Sequence, residues 1–262
     1  MRRFIPALLL AGAASGTLLL QPAIGADKKR VLIVTQAAGF RHSSIPVAAA
    51  TVRELGQKSG DFTVVGEAGT AEQVAQAITA DGLKGVDLVF FANTTGKLGF
   101  TAEGKTAFYD WINAGGGFAG VHSAGDTFHN DPDYLNLVRG EFQTHGPQVK
   151  VTVYNQDPSH PACKDLPASF EIYDEIYEFK NWERGRVHML LTMKKHPQKD
   201  LEGDFPVAWT NRVGKGRMFY TSLGHREDVY QSNELYRKHL LGGIRWALGL
   251  AQGDDSQGNP LR

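Results

Sequence analysis

Through the first half of the chain, unbroken apolar runs alternate with segments whose apolar residues recur every three or four positions. Residues 31–35, VLIVT, are a β-branched run that suits a strand buried on both faces. VDLVFF at 86–91 reads the same way, and shorter strands are expected at 62–65 and 117–121. Between them, residues 45–58 have helical character with Ser43 or Ser44 as cap, and Thr70 caps AEQVAQAITA, where Val74, Ala77 and Ile78 share a face. Thr101 and Gly104 open a helix through 105–113 with Phe108, Trp111 and Ile112 on its apolar side. Strands alternating with helices at this spacing predict a parallel, doubly wound α/β sheet with helices on both faces.

The second half changes character. A short helix is expected at 131–138, followed mainly by strands at 148–154, 170–179, 187–193, 205–213 and 216–224. VKVTV and RMFYT alternate well, and residues 213–216, VGKG, read as a hairpin turn. These strands are expected to extend one edge of the sheet. A helix over 233–248 closes the fold, leaving residues 251–262 as a polar, frayed tail.

Residues 1–26 have Arg2 and Arg3, an apolar stretch and a small-residue cleavage pattern, so they read as a secretory signal peptide rather than part of the fold. The apolar stretch at 4–20 is broken by Pro6 and falls short of a membrane span. Residues 27–250 read as one domain, expected outside the cytoplasm, in the periplasm or secreted. Basic and acidic residues balance at 28 each, which gives no electrostatic support for a nucleic-acid or membrane partner and favours a neutral small molecule. Cys163 is the single cysteine, so no intrachain disulfide forms and the thiol reads as structural.

In an open parallel sheet, ligands bind beyond the carboxyl ends of the strands. That rule selects Arg41 and His42 after the first strand, Asn93 after the third, and His122, Ser123 and Asp126 after the fourth. The stretch GVHSAG at 120–125 has the small flanking residues of a strand-to-helix elbow, with histidine where an acyl-transfer enzyme places serine or cysteine. Ser123 stands one place late for that role. His122 is therefore a general base, a hydrogen-bond donor to substrate or a metal ligand, or else a turn histidine bonded to backbone. Asp126 is positioned to orient an imidazole or to share a metal with it.

His145 and His225 also fall where polar loops meet strands, and of the adjacent Asp174 and Glu175 only one can enter a site from a strand. No pair has the HExxH spacing of a helical metal site. Tyr177 and Trp209 belong to an aromatic-rich half that suits either sugar stacking or core packing.

Several stretches together resemble the ThuA-like (trehalose utilisation) family: GFRHSSI at 39–45, GGGFAGVHSAGDT at 115–127, YLNLVRGEFQTH at 134–145, DPSHPA at 157–162, PVAWT at 206–210 and GKGRMFYTSLGH at 214–225. The resemblance implies a flavodoxin-like fold of the class I glutamine amidotransferase-like group. Relatives in that group hold a cysteine at the elbow, where this chain has His122, so amidotransferase activity is not carried over. It also implies a role in carbohydrate metabolism, on glucosides or their 3-keto forms, and places His42, His122, Asp126, His145, Glu175 and His225 in the pocket.

These residues are compatible with two functions. The first is an exported enzyme in which a histidine removes the proton made acidic by a neighbouring ketone; His122 is first choice, with His225 and His145 as partners. A divalent metal held by His122, Asp126, His145 and His225 is the cofactor this reading allows. The substrate-binding set would be Arg41, His42, Asn93, Ser123, Asp126, Glu175, Tyr177 and Trp209. The alternative is a periplasmic module that binds a carbohydrate without transforming it.

Overall fold

The apolar runs become the centre of a sheet. A computed structural model describes Met1 and residues 27–262, so the expected signal peptide lies, apart from Met1, outside the described residues. The first half runs β1 (Lys29–Val34), α1 (Ile45–Ser59), β2 (Phe62–Ala68), α2 (Ala71–Ala77), β3 (Leu88–Ala92), α3 (Ala102–Ala114), β4 (Gly117–Val121) and α4 (Pro132–Val138). The second half runs β5 (Glu141–His145), β6 (Val149–Asn155), β7 (Ser169–Asp174), β8 (Tyr177–Lys180), β9 (His188–Lys195), β10 (Glu202–Val213), β11 (Gly216–Thr221), α5 (Glu227–Gln231) and α6 (Glu234–Ala247). No described helix is long and apolar enough to cross a membrane.

Helix starts follow the expected caps. Thr70 and Gln73 form a reciprocal capping box at α2, and the Thr101 hydroxyl accepts the Gly104 N–H at 2.9 Å. Ser44 occupies the cap position of α1 but makes no side-chain cap bond. Its hydroxyl instead meets the Asn93 amide at 2.7 Å, beneath the strand ends.

Nine strands join in the order β2-β1-β3-β4-β11-β10-β9-β6-β7. The first five are mutually parallel, and the last four form an antiparallel extension on one edge, as the sequence pattern predicts. Alternation along each strand supplies two cores. Val31, Ile33, Leu88, Phe90, Ala119 and Phe219 pack with α1 and α6, whereas Val34, Val89, Phe91, Phe118 and Tyr220 pack with α2, α3 and α4.

Three expectations are corrected. Residues 170–179 are not one strand: β7 ends at Asp174, and β8 leaves the large sheet to pair with β5. Residues 141–145, read as a polar segment, are that partner strand, because Phe142 and Tyr177 supply an apolar face with ring centroids 4.3 Å apart. The polar tail is docked rather than frayed. Asn259 bonds the Met189 N–H and carbonyl, Gly258 N donates to Val187 O, and His188 Nδ1 donates to Ser256 O at 2.8 Å. Those bonds satisfy backbone groups at the start of β9.

Candidate functional site

Between β1 and β3 the order of strand addition reverses, and the crevice beyond their carboxyl ends is where such sheets bind ligands. Four parallel strands deliver side chains there. His42 follows β1, Asn93 follows β3, His122 follows β4 and His225 follows β11.

The elbow at His122 is real. Its φ is 44°, a left-handed conformation that histidine adopts at some cost, held by the tight turn around it. Gly120 is required there, since a Cβ would lie 2.8 Å from that of Ala124. Tyr220 clamps the elbow through its hydroxyl to the His122 carbonyl at 2.6 Å. Below it, Asn93, also at positive φ, ties Ser44, the Gly224 carbonyl and the Tyr230 hydroxyl together. Asn93 thus supports the crevice floor, and its expected substrate contact is replaced by these internal bonds.

His42, His122, His225 and Glu175 converge so that one donor atom from each lies within 4.8 Å of the others. His122 is wholly buried, His42 and Glu175 nearly so, and His225 partly exposed. His122 Nδ1 donates to the Ser222 carbonyl at 2.9 Å, which leaves its Nε2 facing His225 Nδ1 at 3.3 Å and Glu175 Oε1 at 3.6 Å. Ser123 Oγ lies 3.2 Å from His42 Nδ1 and orients that ring, so it acts as a support and not as a nucleophile. His145 approaches from β5, about half exposed, with Nδ1 3.1 Å from Glu175 Oε2.

Burial, reinforced by His122 and His225, pushes the His42 pKa down from 6.5 to about 3, so its imidazole stays neutral. Burial alone would raise Glu175, but the His122 and His225 imidazoles hold its carboxyl far below the usual range. Glu175 in turn raises His225 against the opposing effect of burial. A metal requires neutral imidazoles and an ionised carboxylate; His42 and Glu175 are already in that state, and an ion would compete with the proton that Glu175 favours on His225.

The set fits a divalent ion. Four tetrahedral ligands of one zinc ion lie about 3.4 Å from one another, so donors that all fall within 4.8 Å would have to close by roughly an ångström or more. Three imidazoles and a carboxylate suit zinc and other divalent transition metals, and a hydrogen bond on the remote nitrogen of His122 is how such ligands are fixed in orientation.

Some expected site residues lie elsewhere. Asp126 is not in the cluster: its carboxylate turns to His129 Nε2 at 2.5 Å, and the Ser222 carbonyl orients His122 in its place. His145 touches Glu175 but is not among the four converging donors. Trp209 is core: it is fully buried on the α4 side, donates to the Val138 carbonyl at 2.7 Å and packs on Tyr220 with centroids 4.6 Å apart. The strand alternation of β10 sends it away from the crevice. Trp209→Phe is expected to cost about 1–3 kcal/mol of stability through the orphaned carbonyl, measured by urea melts. Arg41 is exposed beside the opening, and Tyr177 stacks on His122 with centroids 4.2 Å apart.

Sequence reasoning left the role of Asp174 open. Its carboxylate accepts the backbone N–H groups of Gly224, Arg226 and Glu175, fixing the turn that carries His225. Adjacent acids at a strand end were the available signal: one anchors the turn while the other enters the cluster.

The sequence matches the ThuA family, described as trehalose utilisation, over residues 30–247. The chain belongs to the ThuA family. Among solved structures, a ThuA-like protein from Bacteroides uniformis is 24% identical, with 87% of this chain and 95% of that one covered at a TM-score of 0.67. A ThuA-like protein from Parabacteroides merdae is 18% identical, with 89% and 96% covered at 0.70. A β-galactosidase from Bacillus circulans is 13% identical, with 87% of this chain but 32% of that chain covered at 0.51. No curated protein matches. This ThuA-family chain has a flavodoxin-like α/β fold, and its family is described as trehalose utilisation.

Proposed function

We propose that this ThuA-family protein is an enzyme that processes the 3-keto derivatives of glucosides, with a divalent metal held by His42, His122, His225 and Glu175. The convergence of those four donors within 4.8 Å carries the reading. When bound, a divalent ion supplies positive charge for the oxygen that becomes anionic as the ketone enolises. His145 is the base in this scheme. It is the exposed histidine of the group, and Glu175 Oε2 beside its Nδ1 leaves Nε2 for the substrate.

A ketone at C3 acidifies the C2 hydrogen. His145 takes that proton, the electron pair forms the C1–C2 double bond, the C1–O bond breaks, and the proton returns to the departing oxygen. His122, by contrast, is too deeply buried to meet a sugar and serves as a ligand. The leader-type sequence of residues 1–26 supports placing the enzyme outside the cytoplasm; peptide mapping of the mature N-terminus tests this, and a chain that retains residues 1–26 would refute it.

The test is elemental analysis and turnover of a 3-keto-glucoside before and after chelation. Stoichiometric metal lost together with activity is expected. His145→Asn should keep the metal while kcat falls about 10²–10⁴-fold. A metal-free protein that binds the sugar indefinitely without turnover would overturn the proposal in favour of a binding module.

A further inference from the structure

Away from the crevice, three buried donors stand without partners at one end of the ribbon that β5 and β8 form. Glu141 pairs with Lys180 in that ribbon, so two positions further out Arg139 stands opposite Trp182. Both strands turn away there through left-handed backbone, with φ at 65° in Arg139 and 57° in Asn181. Arg139 Nε and Nη1 and Trp182 Nε1 are buried and have no hydrogen-bond partner among the described residues. Buried donors are nearly always satisfied, because leaving one unpaired costs more than a typical bond contributes.

The structural duties these side chains could perform are met by others. Arg139 caps the end of α4, where a guanidinium commonly satisfies the last carbonyls. Those carbonyls are taken: Trp209 Nε1 donates to Val138, and Asn211 Nδ2 to Asn136 and Leu137. Trp182 packs on Trp209 with ring centroids 6.2 Å apart, a contact that does not use its N–H. The charge of Arg139 is also uncompensated. Burial and the neighbouring Arg186 guanidinium both push its pKa below the ordinary arginine value, although arginine keeps its proton in any such setting. Arg184, in the same turn as Arg186, is paired with Asp204, whereas Arg186 makes no ion pair among the described residues.

Two adjacent guanidiniums and an indole N–H offer donors and no acceptor. We infer that Arg139, Arg186 and Trp182 form a binding site for a doubly charged oxyanion of the phosphate or sulfate class. Guanidinium donors match the geometry of oxyanion oxygens, and charge-assisted bonds of this kind are the strong ones. Two positive charges favour a dianion over a monocarboxylate. Arg139 and Trp182 are partly exposed and Arg186 is exposed, so the ion reaches the buried donors from solvent. The site shares no residue with the histidine cluster, and it stands independently of the reaction proposed there.

Titration calorimetry and thermal melts with inorganic phosphate, glycerol phosphate and acetate at constant ionic strength test the site without needing turnover. The wild-type melting midpoint should rise saturably, by about 5–10 °C once phosphate exceeds its Kd a hundredfold, and acetate should have no comparable effect. Arg186→Gln, at an exposed position, and Trp182→Phe, which keeps a ring and loses the donor, should each weaken phosphate binding at least about tenfold. Arg139→Met should abolish the response yet melt no lower than the wild type without anion, because it removes a buried charge that has no partner. A stronger response to glycerol phosphate than to phosphate assigns the site to a phosphate ester, an equal or weaker one assigns it to the free ion, and both support the inference. The absence of a saturable rise, an acetate response equal to that of phosphate, or phosphate binding unchanged in Arg186→Gln and Trp182→Phe overturns it. So does an anion-free Arg139→Met protein that melts well below the wild type, since the guanidinium is then structural.

Discussion

His122→Ala is expected to bind divalent metal more than about 100-fold more weakly than the wild type and to lose detectable turnover of 3-keto-glucosides. Disturbing the hydrogen-bonded support of a metal ligand already costs about 10–100-fold, and this change removes the ligand itself. Nothing nearby replaces it: the Asp126 carboxylate is engaged with His129, and His145 reaches the cluster only through Glu175. The substitution also strands the buried Ser222 carbonyl, which His122 Nδ1 satisfies at 2.9 Å, at about 1–3 kcal/mol. Circular dichroism melts must therefore accompany the metal titration. A folded His122→Ala protein with wild-type metal affinity would remove the cluster from the proposal, whereas His145→Asn is expected to separate metal binding from turnover.

Stability is expected to fall steeply on acidification between pH 6.5 and about 4. Two histidines far from the crevice are responsible. Burial, reinforced by His188, lowers His160 from 6.5 to about 3, and burial lowers His239 from 6.5 to about 4. Each is neutral in the folded chain, and the unfolded chain takes up the proton first, so stability is lost as pH falls below the unfolded value. At 1.36 kcal/mol per unit, His239 alone contributes about 3 kcal/mol once both states are compared below pH 4.

Glu175 acts in the same direction at lower pH, because its depressed folded value gives stability that is present above 4.5 and lost below. His225 acts oppositely: its raised value gives stability present below 6.5 that disappears as pH rises through the folded value. Thermal melts should show a midpoint lower by about 10 °C at pH 4.5 than at pH 6.5, with a shallower slope in His239→Gln. A flat profile across that range would show that these imidazoles charge without unfolding the chain.

The readable part of the fold rests on period. Short apolar runs such as VLIVT and VDLVFF, β-branched or aromatic and too short for a helix, read as strands buried on both faces, and Thr70, Thr101 and Asn233 each stand where a helix needs its first N–H groups satisfied. Period could not divide residues 170–179, because β7 and β8 are each half-buried strands and the break at Asp174 and Glu175 has no glycine or proline to mark it. Nor could it show the docked tail, which is held to β9 mainly by the Asn259 amide on Met189 and the His188 ring on Ser256, pairs of residues far apart in the chain.

The site divides along the same line. The sequence alone determined that His42, Asn93, His122 and His225 would stand at strand ends, since each follows an apolar run and strand ends in a parallel sheet face one crevice. Whether a side chain then enters the crevice, supports it from below or leaves it depends on contacts between residues far apart in the chain. Glu175 meets His122 and His225 because the chain leaves the edge strand β7 just before it and crosses to β8, which pairs with β5 outside the large sheet. Asp126, four residues from His122 in sequence, is captured by His129, and Trp209 is carried by its strand parity into the opposite core. Local pattern fixes which element a residue belongs to, because backbone period is a local property. Which donors converge was decided by the tertiary structure, because convergence depends on strand order and side-chain direction together.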